Sequence, residues 1–251
     1  MYRQNTADAA LNSGNECPKC NGTGYITSRD ESGYTVCEPC PVCRKKKRSS
    51  DATGIPAKYH DADLGSFRFD IYSGNVDGLK RVITRYFEKY PMCEKRNKGL
   101  YLWSKTTGSG KTFLSCCLAR SIMIKYDLQM KFTTAPDYLK VVGESYNRQQ
   151  GAEDGSEVYR TCSLLVLDDI GTQRNGEWQE QELFRLINER QNEGKITFFT
   201  SNNPPDQLKV SGRVIDRIIK GSIVLQLPEE SIRRRNAQKE QEQFLNELLK
   251  D

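Results

Sequence analysis

The segment Ser104-Lys105-Thr106-Thr107-Gly108-Ser109-Gly110-Lys111-Thr112 carries the residue types that hold a phosphate chain. Glycines at 108 and 110 let the backbone turn several N–H groups inward towards phosphate oxygens. At this spacing Lys111 reaches the β- and γ-phosphates and the Thr112 hydroxyl ligates Mg²⁺. Thr107, Gly108, Ser109, Gly110, Lys111, Thr112 and Phe113 are therefore the candidate ATP-binding residues. The usual first glycine of such a loop is here Lys105, at the loop's entry, which predicts an altered loop path. Downstream, SLLVLDDIG at 163–171 is a buried-strand run ending in two carboxylates. Asp168 is the natural Mg²⁺ partner through water, and Asp169 is placed to polarise an attacking water. Asp169 is one methylene shorter than the glutamate common at such positions, which predicts slow, partner-stimulated hydrolysis. The two motifs together predict an ATPase.

A second chemistry lies near the N-terminus. Cys17, Cys20, Cys37, Cys40 and Cys43 stand in CxxC spacing within a segment poor in apolar residues. Such a segment needs a metal to fold, and Zn²⁺ takes four thiolates tetrahedrally. Cys17 and Cys40 each begin a Cys-Pro-X-Cys knuckle, which favours Cys17, Cys20, Cys40 and Cys43 as zinc ligands. Cys37 with Cys40 is the alternative pair. Cys93, Cys116, Cys117 and Cys162 have no such spacing and read as small apolar residues.

Alternating strands and helices must position the phosphate residues. The strand candidates are Leu100–Trp103, Met130–Thr133, Leu164–Leu167, Thr197–Thr200 and Ile223–Leu227. Between them fall helix candidates at Thr112–Tyr126, Pro136–Arg148, Trp178–Glu193 and Val214–Lys220, with a charged terminal helix from Ser231. This alternation predicts an α/β fold with a parallel five-stranded sheet covered by helices. Three regions follow: a zinc-binding module at 1–48, a connector with a lead-in helix at 49–98, and an ATPase domain at 99–251.

Composition narrows the class further. The chain has 251 residues, 28% of them charged, and a net charge of +5. No apolar run approaches the roughly 20 residues that span a bilayer, and the N-terminus lacks a secretory apolar core, so a cytoplasmic protein is expected. Residues 1–48 hold eight Lys/Arg against five Asp/Glu, and five of the eight form the run Arg44 to Arg48. That run reads as a linker with incidental DNA attraction.

The motifs in combination resemble the AAA+ helicase loaders of the DnaC/DnaI type and the related IstB transposition helper ATPases. The likeness runs from about Ile55 to Arg233 and includes IPAKYHDADLGSF, KGLYLWSKTTGSGKT, LLVLDDIG, LFRLINERQNEGKITFFTSN and GRVIDRI…LPEESIRR. It implies an AAA+ P-loop domain behind a small zinc-ribbon-like module. By this resemblance Asn202 orients the lytic water, with Thr200 the weaker candidate. Arg217 is the finger to a neighbour's γ-phosphate, Arg213 its accomplice, and Arg233 the arginine that reaches back to its own nucleotide. A trans finger implies self-association.

The resemblance further implies ATP-dependent loading of a hexameric replicative helicase onto single-stranded DNA, with the zinc module docking on the helicase. The alternatives are an IstB-like helper acting on duplex DNA with a transposase, or a weak-ATPase helicase adaptor or inhibitor. The irregular loop entry and short linker lean towards a phage source.

Overall fold

The computed structural model describes residues 19–20, 25–29, 35–40, 53–146, 155–171 and 176–249, in two units, 1–50 and 51–251. In the first unit, strands β1 (Tyr25–Arg29) and β2 (Thr35–Pro39) pair antiparallel, with Thr27 opposite Cys37. Cys20 precedes this hairpin and Cys40 follows it, and both are buried. Cys17 and Cys43 lie outside the described residues, as does the side chain of Cys37.

The second unit begins with helices α1 (Asp77–Glu88) and α2 (Tyr90–Lys95). Strand β3 (Gly99–Trp103), helix α3 (Lys111–Tyr126), strand β4 (Met130–Thr134) and helix α4 (Ala135–Tyr146) follow. A short helix α5 (Glu157–Thr161) leads into strand β5 (Leu164–Asp168), helix α6 (Glu177–Asn192) and strand β6 (Ile196–Ser201). Helix α7 (Gly212–Gly221), strand β7 (Ser222–Gln226) and helix α8 (Ile232–Leu248) complete it. The five strands pair in parallel in the order β4-β5-β6-β3-β7. Each strand lies within a residue or two of its expected position. Arg148, at the end of one predicted helix, lies outside the described residues.

The strand residues explain the architecture. Every residue of β5 and β6 is buried, as are the first four of β3, so helices must cover both faces of the sheet. One core cluster gathers Leu100, Leu102, Leu164, Val166, Ile196 and Phe198 with α3. The other gathers Tyr101, Leu165, Leu167 and Phe199 with α4, α6 and α7. Successive strand side chains alternate between the two, as a pleated strand requires.

The expectation of a connector at 49–98 needs correction, because residues 53–98 contribute to the core. Ile55, Phe67, Tyr72, Ile83, Tyr86, Tyr90 and Cys93 are all buried in the first cluster. The cause is α3, whose Leu114, Cys116, Leu118, Ile122 and also Ser115 and Arg120 are buried. A helix without a polar face needs a layer on its far side as well as the sheet. The 53–72 segment supplies that layer: the Arg120 guanidinium donates to Ala62 O at 3.0 Å, and Leu64 N–H donates to Ser121 Oγ at 2.8 Å. The absence of a polar stripe in FLSCCLARSIMI was the signal for it.

Candidate active site

The strand β3 delivers the chain to the loop at the carboxyl end of the sheet, and α3 begins at Lys111 immediately after it. Gly108 and Gly110 have φ of +79° and +95°, values that L side chains rarely adopt. A Cβ on Gly108 would lie 2.8 Å from Arg233 Cβ, so the turn also demands glycine sterically. The N-terminal end of α3 presents its unpaired N–H groups and positive dipole end to the loop. Lys111 is nearly buried, and its Nζ donates to Ser104 O and Thr106 O, each at 3.1 Å, and to Ser109 Oγ at 3.3 Å. Burial pushes its pKa below the usual lysine range, against the pull of Asp169, Glu229 and Asp168.

The two carboxylates end β5. Asp168 is buried; Thr112 Oγ1 donates to its Oδ2 at 3.1 Å, and Thr200 Oγ1 donates to its Oδ1 at 2.5 Å. Burial pushes the Asp168 carboxyl up to about 6, against the lowering effect of the hydrogen bonds from Thr200 and Thr112. Asp169 turns into the left-handed region at φ +54°, and its N–H donates to Thr200 Oγ1 at 3.0 Å. Thr200 can be there because β6 lies between β3 and β5 in the sheet.

A cleft of about 710 Å³ is lined by the loop and Asp169, while the buried Asp168 and Thr200 lie behind its surface. Its lining includes Thr107, Gly108, Ser109, Gly110, Lys111 and Thr112, together with Asp169 and Asn202. Phe113 lines it beside Tyr59 and Phe67, whose rings lie 5.1 Å and 5.8 Å from that of Phe113. Lys58 and Ile71 also line it, as do Arg233, Asn236 and Glu240 of α8. Tyr59, Phe67 and Ile71 were not expected at the site, because the stretch read as connector. The aromatic spacing in AKYHDADLGSFRF was the available signal. Tyr72 O–H also donates to Ser109 O at 2.6 Å and pins the loop from that side.

The remaining expected residues divide. Asn202 and Arg233 line the cleft. Thr200 is fully buried; it donates to the Asp168 carboxylate and accepts the backbone N–H of Asp169. Arg213 and Arg217 lie on α7 and do not line the cleft. The Arg213 guanidinium rests 4.8 Å over the Phe184 ring, and Gln191 Nε2 donates to Arg217 O at 2.8 Å. Lys105 is exposed and has no positive φ, so a Cβ is tolerated where the motif usually has glycine. Its N–H donates to a Glu229 carboxylate oxygen at 3.0 Å.

The family model described as IstB-like ATP binding protein matches residues 45–240 of this chain. The chain belongs to that family. It is also similar to the replicative helicase loader DnaI of Bacillus subtilis, with 29% identity over 175 residues, 68% of this chain and 55% of the relative. The chain thus spans about half the length of that relative. The replicative helicase loader DnaC of Escherichia coli K12 is 22% identical over 181 residues, 71% of each chain. A solved DnaC helicase loader structure superposes with a TM-score of 0.60 at 21% identity, covering 69% of this chain and all of that one, which shows the shared fold.

An ATP-binding family agrees with the donor set of the cleft. The hydroxyl of Thr112 and the carboxylate of Asp168, 3.1 Å apart, are hard oxygen donors of the kind that suits Mg²⁺. For zinc, Cys20 and Cys40 at the ends of the hairpin suit a four-thiolate set, but two of the four expected ligands lie outside the described residues. Among the described residues no three metal-ligating side chains converge. No helix among them is long and apolar enough to cross a membrane.

The Thr200 bridge carries a prediction. Thr200→Val keeps the shape and removes the donor to Asp168 and the acceptor for Asp169 N–H. Leaving buried polar groups unpaired costs about 1–3 kcal/mol, so the denaturant midpoint falls. ATP turnover falls with it, since the Asp168 carboxylate loses a donor and the backbone of Asp169 loses its anchor. An unchanged midpoint would show that the bridge contributes nothing to the fold.

Proposed function

We propose that this chain is an ATP-hydrolysing helicase loader that self-associates, binds a hexameric replicative DNA helicase and deposits it on single-stranded DNA. The observation that carries the hydrolytic part is the hydrogen-bonded cluster of Thr112, Asp168 and Thr200 beside the Lys111 loop. The likeness to DnaI and DnaC supports the loading role.

On this reading the phosphates of ATP take over Lys111 Nζ from the loop's own carbonyls and accept the N–H groups of residues 107–112. Thr112, and Asp168 through water, would hold Mg²⁺, whose charge would offset that of the phosphates. Tyr59, Phe67 and Phe113 pack the base. Asn202 and Asp169 orient a water for in-line attack on the γ-phosphorus; the bond to the β–γ bridging oxygen breaks and ADP leaves. Arg233 contacts the nucleotide of its own subunit. Arg217 and Arg213, being off the cleft, act on a neighbour's γ-phosphate.

The cysteine module is a zinc site formed by Cys17, Cys20, Cys40 and Cys43, and it docks on the helicase. The exposed rings of Tyr146 and Trp178, with centroids 6.3 Å apart, offer faces on which unstacked bases can lie. The setting is the cytoplasm of a bacterial cell.

Size-exclusion chromatography with light scattering tests the reading, using the replicative helicase with and without ATP. A stable complex is expected with the wild type, lost with Cys40→Ser together with one bound zinc by metal analysis. No complex under any nucleotide condition would overturn the loader reading, and duplex DNA with a transposase would be the next partners. A complex without measurable turnover would leave a helicase adaptor instead.

A further inference from the structure

Glu229 takes no part in the chemistry above, yet its carboxylate is committed to the phosphate loop. Its Oε1 accepts the N–H of Lys105 at 3.0 Å, and its Oε2 accepts the N–H of Thr106 at 2.8 Å. The hydroxyls of Thr106 and Ser104 donate to Oε2 at 2.9 Å and 3.2 Å, and Gln226 Nε2 donates to Oε1 at 3.2 Å. Four of these five donors belong to the loop's entry. Glu229 does not line the cleft, so its charge lies outside the wall that faces the phosphates.

The same short segment is tied to the loop and its neighbours at further points. Arg233 N–H donates to Gly108 O at 3.3 Å. The Glu230 carboxylate accepts the N–H and O–H of Ser73 at 3.0 Å, and the Arg235 guanidinium donates to Ile71 O. Between Ile71 and Ser73 stands Tyr72, which holds Ser109 O from the other side. Helix α8 has no buried residue of its own, yet Arg233, Asn236 and Glu240 on it wall the cleft. Polar ties at its N-terminal end, together with the part-buried Ile232 packed on the core, therefore set where that wall stands.

We propose that Glu229 is a positioning residue for nucleotide binding, setting the entry of the phosphate loop from outside and coupling it to the helix α8. The inference rests on the reading of the cleft as the ATP site. Charge-assisted acceptance of two successive N–H groups turns the amides of residues 105 and 106 outward, which leaves the following amides to face inward. This does the work of fixing the loop where Lys105 replaces the usual glycine. Burial works against ionisation of Glu229, but the hydrogen bonds from Lys105, Thr106 and Gln226 outweigh it and hold the carboxyl at about 2, so the tie is in place across the working pH range.

The test measures fluorescent ATP and ADP affinity, KM, kcat and thermal midpoint for the wild type, Glu229→Ala, Glu229→Gln, Glu230→Gln and Lys111→Ala. Loss of charge-assisted hydrogen bonds predicts that Glu229→Ala raises Kd for ATP and ADP alike by about tenfold. KM rises with it, while kcat at saturation stays within about threefold, because the residue touches no reacting atom. Glu229→Gln, which keeps one acceptor oxygen, falls between, and Glu230→Gln has the smaller effect on Kd. If Glu229→Ala does not fold, a wild-type Kd in Glu229→Gln overturns the inference and a raised one upholds it. A purely structural role would lower the midpoint and the active fraction while leaving Kd unchanged, and that result overturns the inference too. Absence of nucleotide binding by the wild type, or wild-type binding by Lys111→Ala, would instead overturn the reading of the cleft.

Discussion

Lys111→Ala is expected to abolish nucleotide-dependent stabilisation without harming the fold. The ammonium is desolvated among Ser104 O, Thr106 O and Ser109 Oγ, and burial already depresses its pKa. Removing a buried cation relieves that desolvation and offsets the loss of three hydrogen bonds. The midpoint without nucleotide therefore stays close to the wild-type value. With Mg²⁺ and ATP at about a hundred times Kd, the wild type gains about 2.7 kcal/mol. The variant gains almost nothing, because two charge-assisted hydrogen bonds to phosphate are worth about 3–6 kcal/mol together. Differential scanning fluorimetry across an ATP titration reads both quantities. An ATP-dependent shift as large in the variant as in the wild type would place the nucleotide elsewhere.

The second large effect is expected at Arg217. Its Nη1 lies 3.5 Å from Gln191 Oε1, and its side chain is part-exposed on α7, away from the Lys111 cleft. A cation supplied across a subunit boundary stabilises charge only in the transition state and is worth on the order of 10³ in kcat. Arg217→Ala should therefore bind ATP like the wild type and lose nearly all turnover. Arg213→Ala should show a smaller loss, as its guanidinium lies over the Phe184 ring one turn earlier. Mixing supplies the decisive measurement. Lys111→Ala retains a sound Arg217 and Arg217→Ala retains a sound loop, so an equimolar mixture contains some complete sites. Recovery of turnover on mixing establishes a site built from two copies. If Arg217→Ala alone hydrolyses ATP normally, the arginine is a surface residue and the trans arrangement falls.

Much of the second unit was legible in the chain because its signals are local. LLVLDD and KITFFTS are unbroken apolar runs of strand length, and such runs demand a sheet covered on both faces. GSGKT between a strand and a helix specifies a loop whose amides and lysine converge, since one turn of backbone decides it. Gly108 and Gly110 do carry the positive φ that this turn needs. In the first unit, the hairpin of β1 and β2 lies between Cys20 and Cys40, two of the cysteines that the spacing singles out.

Other features depended on contacts that no local spacing encodes. The segment 53–72 reads as connector because its apolar residues follow neither strand nor helix period. Tertiary packing makes it the second layer over α3 and the aromatic wall of the cleft. Thr200 gains its role from strand order, because the insertion of β6 between β3 and β5 brings its hydroxyl to Asp168, 32 residues away in the chain. Lys105 and Glu229 are separated by 124 residues. The chain by itself determined the order of elements, the phosphate loop and the paired carboxylates, since these follow from side-chain period and backbone freedom over a few residues. Only the tertiary structure decided which distant residues brace that loop, because sheet order and helix docking, not spacing along the chain, set their distances.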